Sequence, residues 1–259
     1  MKTMISVVLA THNEENNLER CLRSIKHLAD EIIIVDGEST DKTTEIGKQF
    51  KANVISTTNK ANFHINKQMA MDEAQGDLIL QLDADEVVDT KLSEFIRSIA
   101  DKEQQDISAW WINRKNFFLG HFLHKGGQYP DPVIRLYRKG KAKLPQKDVH
   151  EQMIVEGEVR TATGHLLHYS NPTFSEYLRK FDTYTSFKAR QLQDTKLNLT
   201  LLNTLTYLFV KPSITFVSLY LRHRGYTDGL PGFIFALFSG LHHLVAYIKL
   251  WELNQTDVN

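Results

Sequence analysis

Apolar runs and helically spaced apolar positions alternate along the first hundred residues. Residues 5–10 are continuously apolar, which predicts a buried strand, and the polar stretch 11–16 ends it, with Asn16 placed to cap a helix. Leu18, Cys21, Leu22, Ile25 and Leu28 then recur at helical spacing. Residues 31–35 are rich in β-branched side chains and predict a second strand, closed by the turn formers of 36–41 before a helix reaching about Phe50. A short third strand is predicted at 54–56. Ile65, Met69 and Ala70 mark the next helix, which Gly76 would close from a left-handed position. Residues 78–82 form another apolar run of strand length, and Leu92, Phe95, Ile96 and Ile99 continue as an amphipathic helix.

Strands that alternate with helices predict right-handed crossovers and a mostly parallel sheet. Ligands of such sheets bind beyond the carboxyl ends of the strands. Asp36 and Asp83 stand at two of these ends, and Asn13-Glu14 just past a third. After the run 78–82 come Asp83-Ala84-Asp85-Glu86, three carboxylates in four residues. If the extended geometry persists, Asp83 and Asp85 leave on the same side. An acidic pair there suits a hard divalent cation, Mg2+ or Mn2+, shared with substrate phosphates, and the competing reading is a solvated Asp-rich turn. Neither G-x-G-x-x-G in the first strand–helix connection nor G-x-x-x-x-G-K-[ST] anywhere is present. A site lined by acids repels bare phosphate, so a bound cation is needed to hold one.

The pattern changes after residue 107. Residues 107–160 are rich in aromatics, basic residues and turns, and read as strands and loops with a hairpin tip at 138–141. Asp148-Val149-His150-Glu151 introduces a further strand, and His150 and His168 are candidate metal ligands against the commoner structural role of a lone histidine. From Asn171-Pro172 a long helix carries Phe174, Tyr177, Leu178, Phe181 and Tyr184 on one face. Residues 199–210 and 214–221 are apolar, with Lys211-Pro212 expected to break them, and a polar turn at 222–229 leads into the apolar stretch 230–250. That last stretch is long enough to cross a bilayer, but His242-His243 at its centre favours helices lying in the interface, with Lys211, Arg222, Arg224 and Lys249 toward anionic headgroups. A soluble helical subdomain over the sheet is the alternative.

Composition narrows the function. The 259 residues are 42% apolar and 24% charged, which are globular values. Lys plus Arg and Asp plus Glu balance at 31 each, which leaves no global basic field for nucleic acid. The single cysteine, Cys21, excludes an internal disulfide and reads as core. The start lacks a long enough apolar region for a signal peptide, so a cytosol-facing protein is expected.

Taken in order, several segments resemble the family 2 glycosyltransferases of GT-A fold. These segments are Val7-Val8-Leu9-Ala10-Thr11-His12-Asn13-Glu14, Ile33 through Thr43, Gly76-Asp77 through Glu86, Val149-His150-Glu151, and Gly225-Tyr226-Thr227-Asp228-Gly229. Within that family the chain is similar to the branch that adds sugars to the lipopolysaccharide inner core, the heptose β-1,4-glucosyltransferase type. The resemblance implies an α/β GT-A catalytic domain over 1–170, with a nucleotide-binding part at 1–100 and an acceptor-side part at 101–170. A helical, membrane-associating region over 171–259 follows.

The resemblance further implies that Thr11, Asn13, Glu14 and Asp36 hold the uracil and ribose of a UDP-sugar, with Gly127 near the donor sugar. Asp83 and Asp85 would meet the ribose and the diphosphate-bound metal, both as metal ligands, and His168 would complete the metal shell. Glu151 matches the general base, although His150-Glu151 stands where many relatives have two acids, so Asp148 stays open beside it. The implied enzyme is an inverting, metal-assisted hexosyltransferase on the cytoplasmic face of the inner membrane. Its donor is a UDP-sugar, with glucose the family-level expectation, and its acceptor is a lipid-linked saccharide. The rival readings are a polyprenyl-phosphate glycosyltransferase and a non-catalytic, membrane-docked sugar-nucleotide binder.

Overall fold

A computed structural model describes residues 3–60, 62–100, 106–145 and 152–256. The chain forms two compact units, Met1–Arg114 with Asp131–His168, and Lys115–Pro130 with Tyr169–Asn259.

In the first unit, β1 (Ile5–Thr11), α1 (Leu18–Ile25), β2 (Glu31–Gly37), α2 (Thr43–Gln49), β3 (Asn53–Thr57), α3 (Phe63–Glu73) and β4 (Leu78–Leu82) follow the predicted alternation. Next along the chain come β5 (Glu86–Val88), α4 (Thr90–Ala100), β6 (Ile107–Phe118), β7 (His121–Phe122), β8 (Asp131–Arg138), β9 (Ala142–Lys143), β10 (Ile154–Val155) and β11 (Glu158–Asn171), of which β7 and the C-terminal ends of β6 and β11 belong to the second unit. The main sheet has the order β3-β2-β1-β4-β8-β6-β11-β5, with β7 paired to β6. Strands β3, β2, β1 and β4 are parallel, and the pairs β4–β8, β6–β8 and β11–β5 are antiparallel. The strand period sorts the core. Ile5, Val7 and Leu9 face Leu18, Cys21, Leu22 and Ile25 of α1 and Leu92 and Ile96 of α4. Val8, Ile33 and Val35 face Ala70 and Met71 of α3 with Tyr137. Each such aliphatic side chain taken fully from water adds about 1.5–3 kcal/mol, which holds the strand ends in a fixed array.

Local signals differ from expectation in three places. Asn17, not Asn16, is the N-cap of α1, and the Glu14 carbonyl accepts from the Asn17 and Leu18 amides at 3.0 and 2.9 Å. Gly76 is not left-handed. Helix α3 already ends at Ala74 in extended conformation, and Gly76 is needed because β1 passes against it. A Cβ there would lie 2.6 Å from Ser6 Oγ and 2.7 Å from the Met4 carbonyl. A turn forms at Arg138–Lys141, closed by the Lys141 amide on the Arg138 carbonyl at 3.0 Å, but it is not the expected hairpin tip, because it leads from β8 of the main sheet to β9, which pairs with β10 in a separate two-stranded sheet.

The second unit holds α5 (Phe174–Asp194) and one continuous helix over Leu201–Arg222. That helix consists of α6 (Leu201–Leu205), a π-helical turn (Thr206–Val210), α7 (Lys211–Val217) and a second π turn (Ser218–Arg222). A 3-10 turn (Gly225–Asp228) precedes α8 (Gly229–Thr256). The expected break at Lys211-Pro212 does not occur. Proline lacks an amide and its ring crowds the carbonyl four residues back, here Leu208, which lies inside the wider π turn. Phe238 of α8 packs edge-on against Phe174, Tyr177 and Phe181 of α5, and a Cβ on Gly240 would lie 2.6 Å from the Pro212 carbonyl.

Gly76→Ala is expected to destabilise the protein by about 1–3 kcal/mol, because backbone rather than a flexible side chain must yield. Chemical denaturation measures it, and an unchanged midpoint would show that β1 can move away freely.

Candidate active site

The carboxyl ends of β1, β2 and β4 lie side by side, since Thr11 pairs with Asp36 and Leu9 with Leu82. Asp36 is buried and accepts three hydrogen bonds. Thr11 Oγ1 donates to its Oδ1 at 3.0 Å, Ser39 Oγ to the same oxygen at 2.6 Å, and the Ser39 amide to Oδ2 at 2.9 Å. Asn13 adopts a left-handed conformation (φ 54°); its amide donates to Ser39 Oγ at 2.8 Å and its Oδ1 accepts the Thr40 amide at 2.9 Å. The Glu14 amide donates to Thr43 Oγ1 at 2.8 Å. Thr11, Asn13, Glu14 and Asp36 therefore share one interlocked pair of turns. Beside Gly37, Asn66 donates to the Thr58 carbonyl at 3.2 Å, while its Oδ1 is buried without a partner among the described residues.

The acidic segment is not extended. The Glu86 amide closes a turn on the Asp83 carbonyl at 3.0 Å, so the two Asp side chains do not repeat along a strand but meet different partners. Asp83 Oδ1 contacts the Lys67 ammonium, and its Oδ2 accepts from Arg135 Nη2 at 2.6 Å. Arg135 also donates to Gln81 Oε1 and lies 3.3 Å from Glu86 Oε1. Glu86 has no exposure. Its Oε2 accepts the Asp83 amide at 2.9 Å, and Arg114, itself paired with Asp131 at 2.9 Å, stands 3.6 Å from Oε1. Burial works to raise the Asp83 carboxyl, but the Arg135 and Lys67 cations outweigh it and hold the group well below the usual carboxylate range. Burial likewise pulls the Arg135 guanidinium down, and Asp83 and Glu86 more than reverse that. Cys21 is buried, and burial first, then Glu86, Asp85 and Asp83, push its thiol up, so it remains a packing residue.

Asp85 Oδ2 lies 3.4 Å from His168 Nε2, carried in by the pairing of His168 with Glu86 between β11 and β5. One carboxylate oxygen and one imidazole nitrogen at this spacing fit a divalent cation whose other ligands are water and substrate phosphates. Both oxygens of Asp83 are engaged by cations, and the described residues bring together no group of three His, Cys, Asp or Glu able to hold a metal. Asp85 and His168 are thus the pair that fits. Asp148, His150 and Glu151 lie outside the described residues. Gly127 belongs to the second unit, where it and Gly126 are left-handed (φ 74° and 64°).

Lys67, Gln81, Glu86, Arg114 and Arg135 were not singled out as site residues from the sequence. Gln81 carried a signal, being the one polar residue inside the apolar run of β4. Lys67 and Arg135 carried none, because long cations on a helix and a strand read as solvated until a buried acid is placed beside them.

The sequence model of Glycosyl transferase family 2 matches residues 6–154. The lipopolysaccharide core biosynthesis glycosyltransferase LpsC of Rhizobium meliloti (strain 1021) is 29% identical over 267 residues, 97% of this chain and 93% of that protein. An uncharacterized glycosyltransferase of Rickettsia typhi is 27% identical over 268 residues, 98% of this chain and 89% of that one. Among solved structures, glucosyl-3-phosphoglycerate synthase from Mycobacterium tuberculosis in complex with Mn2+, UDP and glucosyl-3-phosphoglycerate is 18% identical. It covers 66% of this chain and 73% of that one with a TM-score of 0.46, too remote to inform the site.

The depressed Asp83 carboxyl gives a signed pH dependence. Its unfolded value is about 4, so the stability it contributes is complete above that pH and is lost as pH falls below it. The difference in unfolding free energy between wild type and Asp83→Asn is expected to be flat near neutrality and to shrink below about pH 4. Parallel pH profiles for the two proteins would remove the ion pairs from this role.

Proposed function

The chain belongs to glycosyl transferase family 2, and from that footing we propose that it moves glucose from UDP-glucose to a lipopolysaccharide core or related cell-envelope glycan, inverting the anomeric centre. The observation that carries the donor reading is the cluster of Asp36, Asp83 and Asp85 beyond adjoining parallel strands, with Lys67 and Arg135 set against Asp83. Those two cations cancel the charge of the nearest carboxylate, so a nucleoside diphosphate meets a wall far less repulsive than the sequence implies. Thr11, Asn13, Glu14 and Asp36 are the groups we assign to the nucleoside, and Asp83 to the ribose side.

We assign Asp85 and His168 to a bound Mg2+ or Mn2+, which would offset charge on the diphosphate as a Lewis acid. The chain's own chemistry is proton transfer. The Glu151 carboxylate, with Asp148 the alternative, takes the proton of the acceptor hydroxyl as its oxygen attacks the anomeric carbon. The bond from that carbon to the UDP oxygen breaks on the opposite face, and UDP departs with the electron pair. An α-linked donor therefore gives a β-linked product.

In this reading residues 1–170 are the catalytic part, and 171–259 hold it at the cytoplasmic face of the inner membrane. Support comes from the helix Leu201–Arg222, on which Leu201, Leu205, Phe209, Ile214, Val217 and Leu221 are all exposed at spacings of three to five residues. A soluble surface rarely carries so long an apolar stripe, and a helix lying in the interface buries it.

The donor assignment is tested by offering the full chain a panel of UDP-, GDP- and dTDP-sugars with Mn2+, read by thermal shift and slow donor hydrolysis. A metal-dependent response to UDP-glucose is expected. A response to GDP-mannose would instead favour a polyprenyl-phosphate acceptor, a thermal shift with no donor hydrolysis or transfer a non-catalytic sugar-nucleotide binder, and silence throughout a scaffold. Asp85→Asn is expected to weaken UDP binding by calorimetry with Mn2+ and to leave it unchanged without; an unaltered dissociation constant in Mn2+ sinks the metal assignment. Glu151→Gln is expected to keep donor binding while turnover falls about 10²- to 10⁴-fold; full turnover would pass the role to Asp148.

A further inference from the structure

The second unit carries a cluster of cations that the donor reading does not use. Asp228, in the 3-10 turn Gly225–Asp228, has a side chain only 2% exposed, and it organises a neighbouring loop. Its Oδ1 accepts the His124 amide at 3.0 Å and lies 3.1 Å from His121 Nε2; its Oδ2 accepts the Lys125 amide at 2.8 Å. A carboxylate only accepts, so His121 Nε2 carries the proton and Nδ1 is turned away from Asp228. The loop and the turn are joined through their backbones as well. The Gly126 amide donates to the His223 carbonyl at 3.0 Å, and a Cβ on Gly126 would stand 3.5 Å from Gly225 Cα.

This junction gathers His121, His124 and Lys125 from one segment and Arg222, His223 and Arg224 from the other. The side chains of His124, Lys125, Arg222, His223 and Arg224 are exposed. Among the described residues no carboxylate pairs with Lys125, Arg222 or Arg224, and Asp228, the one acid of the two segments, is buried under the loop. Surface cations on two segments fixed to each other, with the local acid turned inward, present a concentrated positive field that no carboxylate among the described residues pairs with. Arginine and lysine so arranged suit the oxygens of a phosphoryl group.

We propose that residues 121–127 and 222–228 form a phosphoryl-binding site in which Lys125, Arg222 and Arg224, with His124, take a phosphate mono- or diester that is not the donor's diphosphate, while His121 is spent on Asp228. Asp228 is its positioning residue, setting the loop against the turn. The ligand is either a phosphate on a soluble saccharide acceptor or the headgroup of an anionic lipid; the chemistry recognised is the same. The site rests on the second unit alone and not on the donor reading, so a chain that fails the donor panel can still bind here.

The test uses the full chain with two probes. Inorganic phosphate is titrated by calorimetry, and vesicles of phosphatidylcholine alone or mixed equally with phosphatidylglycerol are cosedimented with the protein. The variant pair is Lys125→Gln with Arg224→Asn. Arg224 has φ 58°, and asparagine tolerates that left-handed conformation while removing the charge. Loss of two cations is expected to weaken binding of the responding probe roughly 10- to 30-fold, and Lys125→Gln alone, at an exposed side chain, roughly 5-fold. A response to phosphate identifies a phosphorylated saccharide as the source, and a response confined to phosphatidylglycerol vesicles identifies the lipid headgroup; either supports the site. No response by wild type to either probe overturns it, as does unchanged binding by both variants. A parallel loss of UDP binding in the variants also overturns it, since the cations would then belong to the donor's diphosphate.

Discussion

Glu86 has no exposure to solvent, and an ionised carboxylate in that position is tolerable only with a cation and hydrogen bonds around it. Arg135 supplies the cation and spreads its donors over Gln81, Asp83 and Glu86, while the Asp83 amide bonds the other oxygen of Glu86. The turn that carries Asp83, Ala84 and Asp85 is therefore tied from beneath, on its backbone and on one side chain. Removing one partner from such a buried pair typically costs about 3–5 kcal/mol, because the other is left charged and unpaired. The geometry of the acidic segment thus rests on Arg135 from outside and on Glu86 from within.

That dependence explains what the sequence could and could not convey. The parallel half of the sheet was legible because strands buried on both faces are apolar runs and their crossover helices are amphipathic. The placing of Asp36 and Asp83 at the carboxyl ends of strands was legible because they end such runs. Arg135 and Lys67 were not. Each becomes meaningful only when β8 is laid against β4, and when α3 brings Lys67 to Asp83, and those are long-range juxtapositions that no local period encodes.

Two local rules led to wrong expectations for separate reasons. Gly76 was read through the backbone freedom of glycine, whereas its use here is the absence of a side chain where β1 passes closely. Pro212 was read as a helix breaker, yet the π turn before it widens the helix where the missing hydrogen bond and the ring would otherwise conflict. Proline's rule assumes an α-helical partner four residues back, and a π turn removes that assumption. The exposed apolar positions from Leu201 to Leu221 consequently lie on one continuous helix rather than on two short ones.

The D-x-D pattern itself divides into unlike halves. Asp83 is saturated by Lys67 and Arg135, which makes it a fixed, effectively neutral element of the wall. Asp85 has turned away toward His168, at the spacing of two ligands around one ion. The division follows from the turn closed by Glu86: in an extended segment both carboxylates would leave on one side and compete for the same cations, with like charges destabilising each other. Arg135 and Lys67 answer Asp83 internally, while Asp85 meets His168. Under the proposed reading, in which a divalent ion and a diphosphate share the site, that asymmetry is useful, since two acids both answered internally would hold no ion and two unanswered ones would repel the diphosphate.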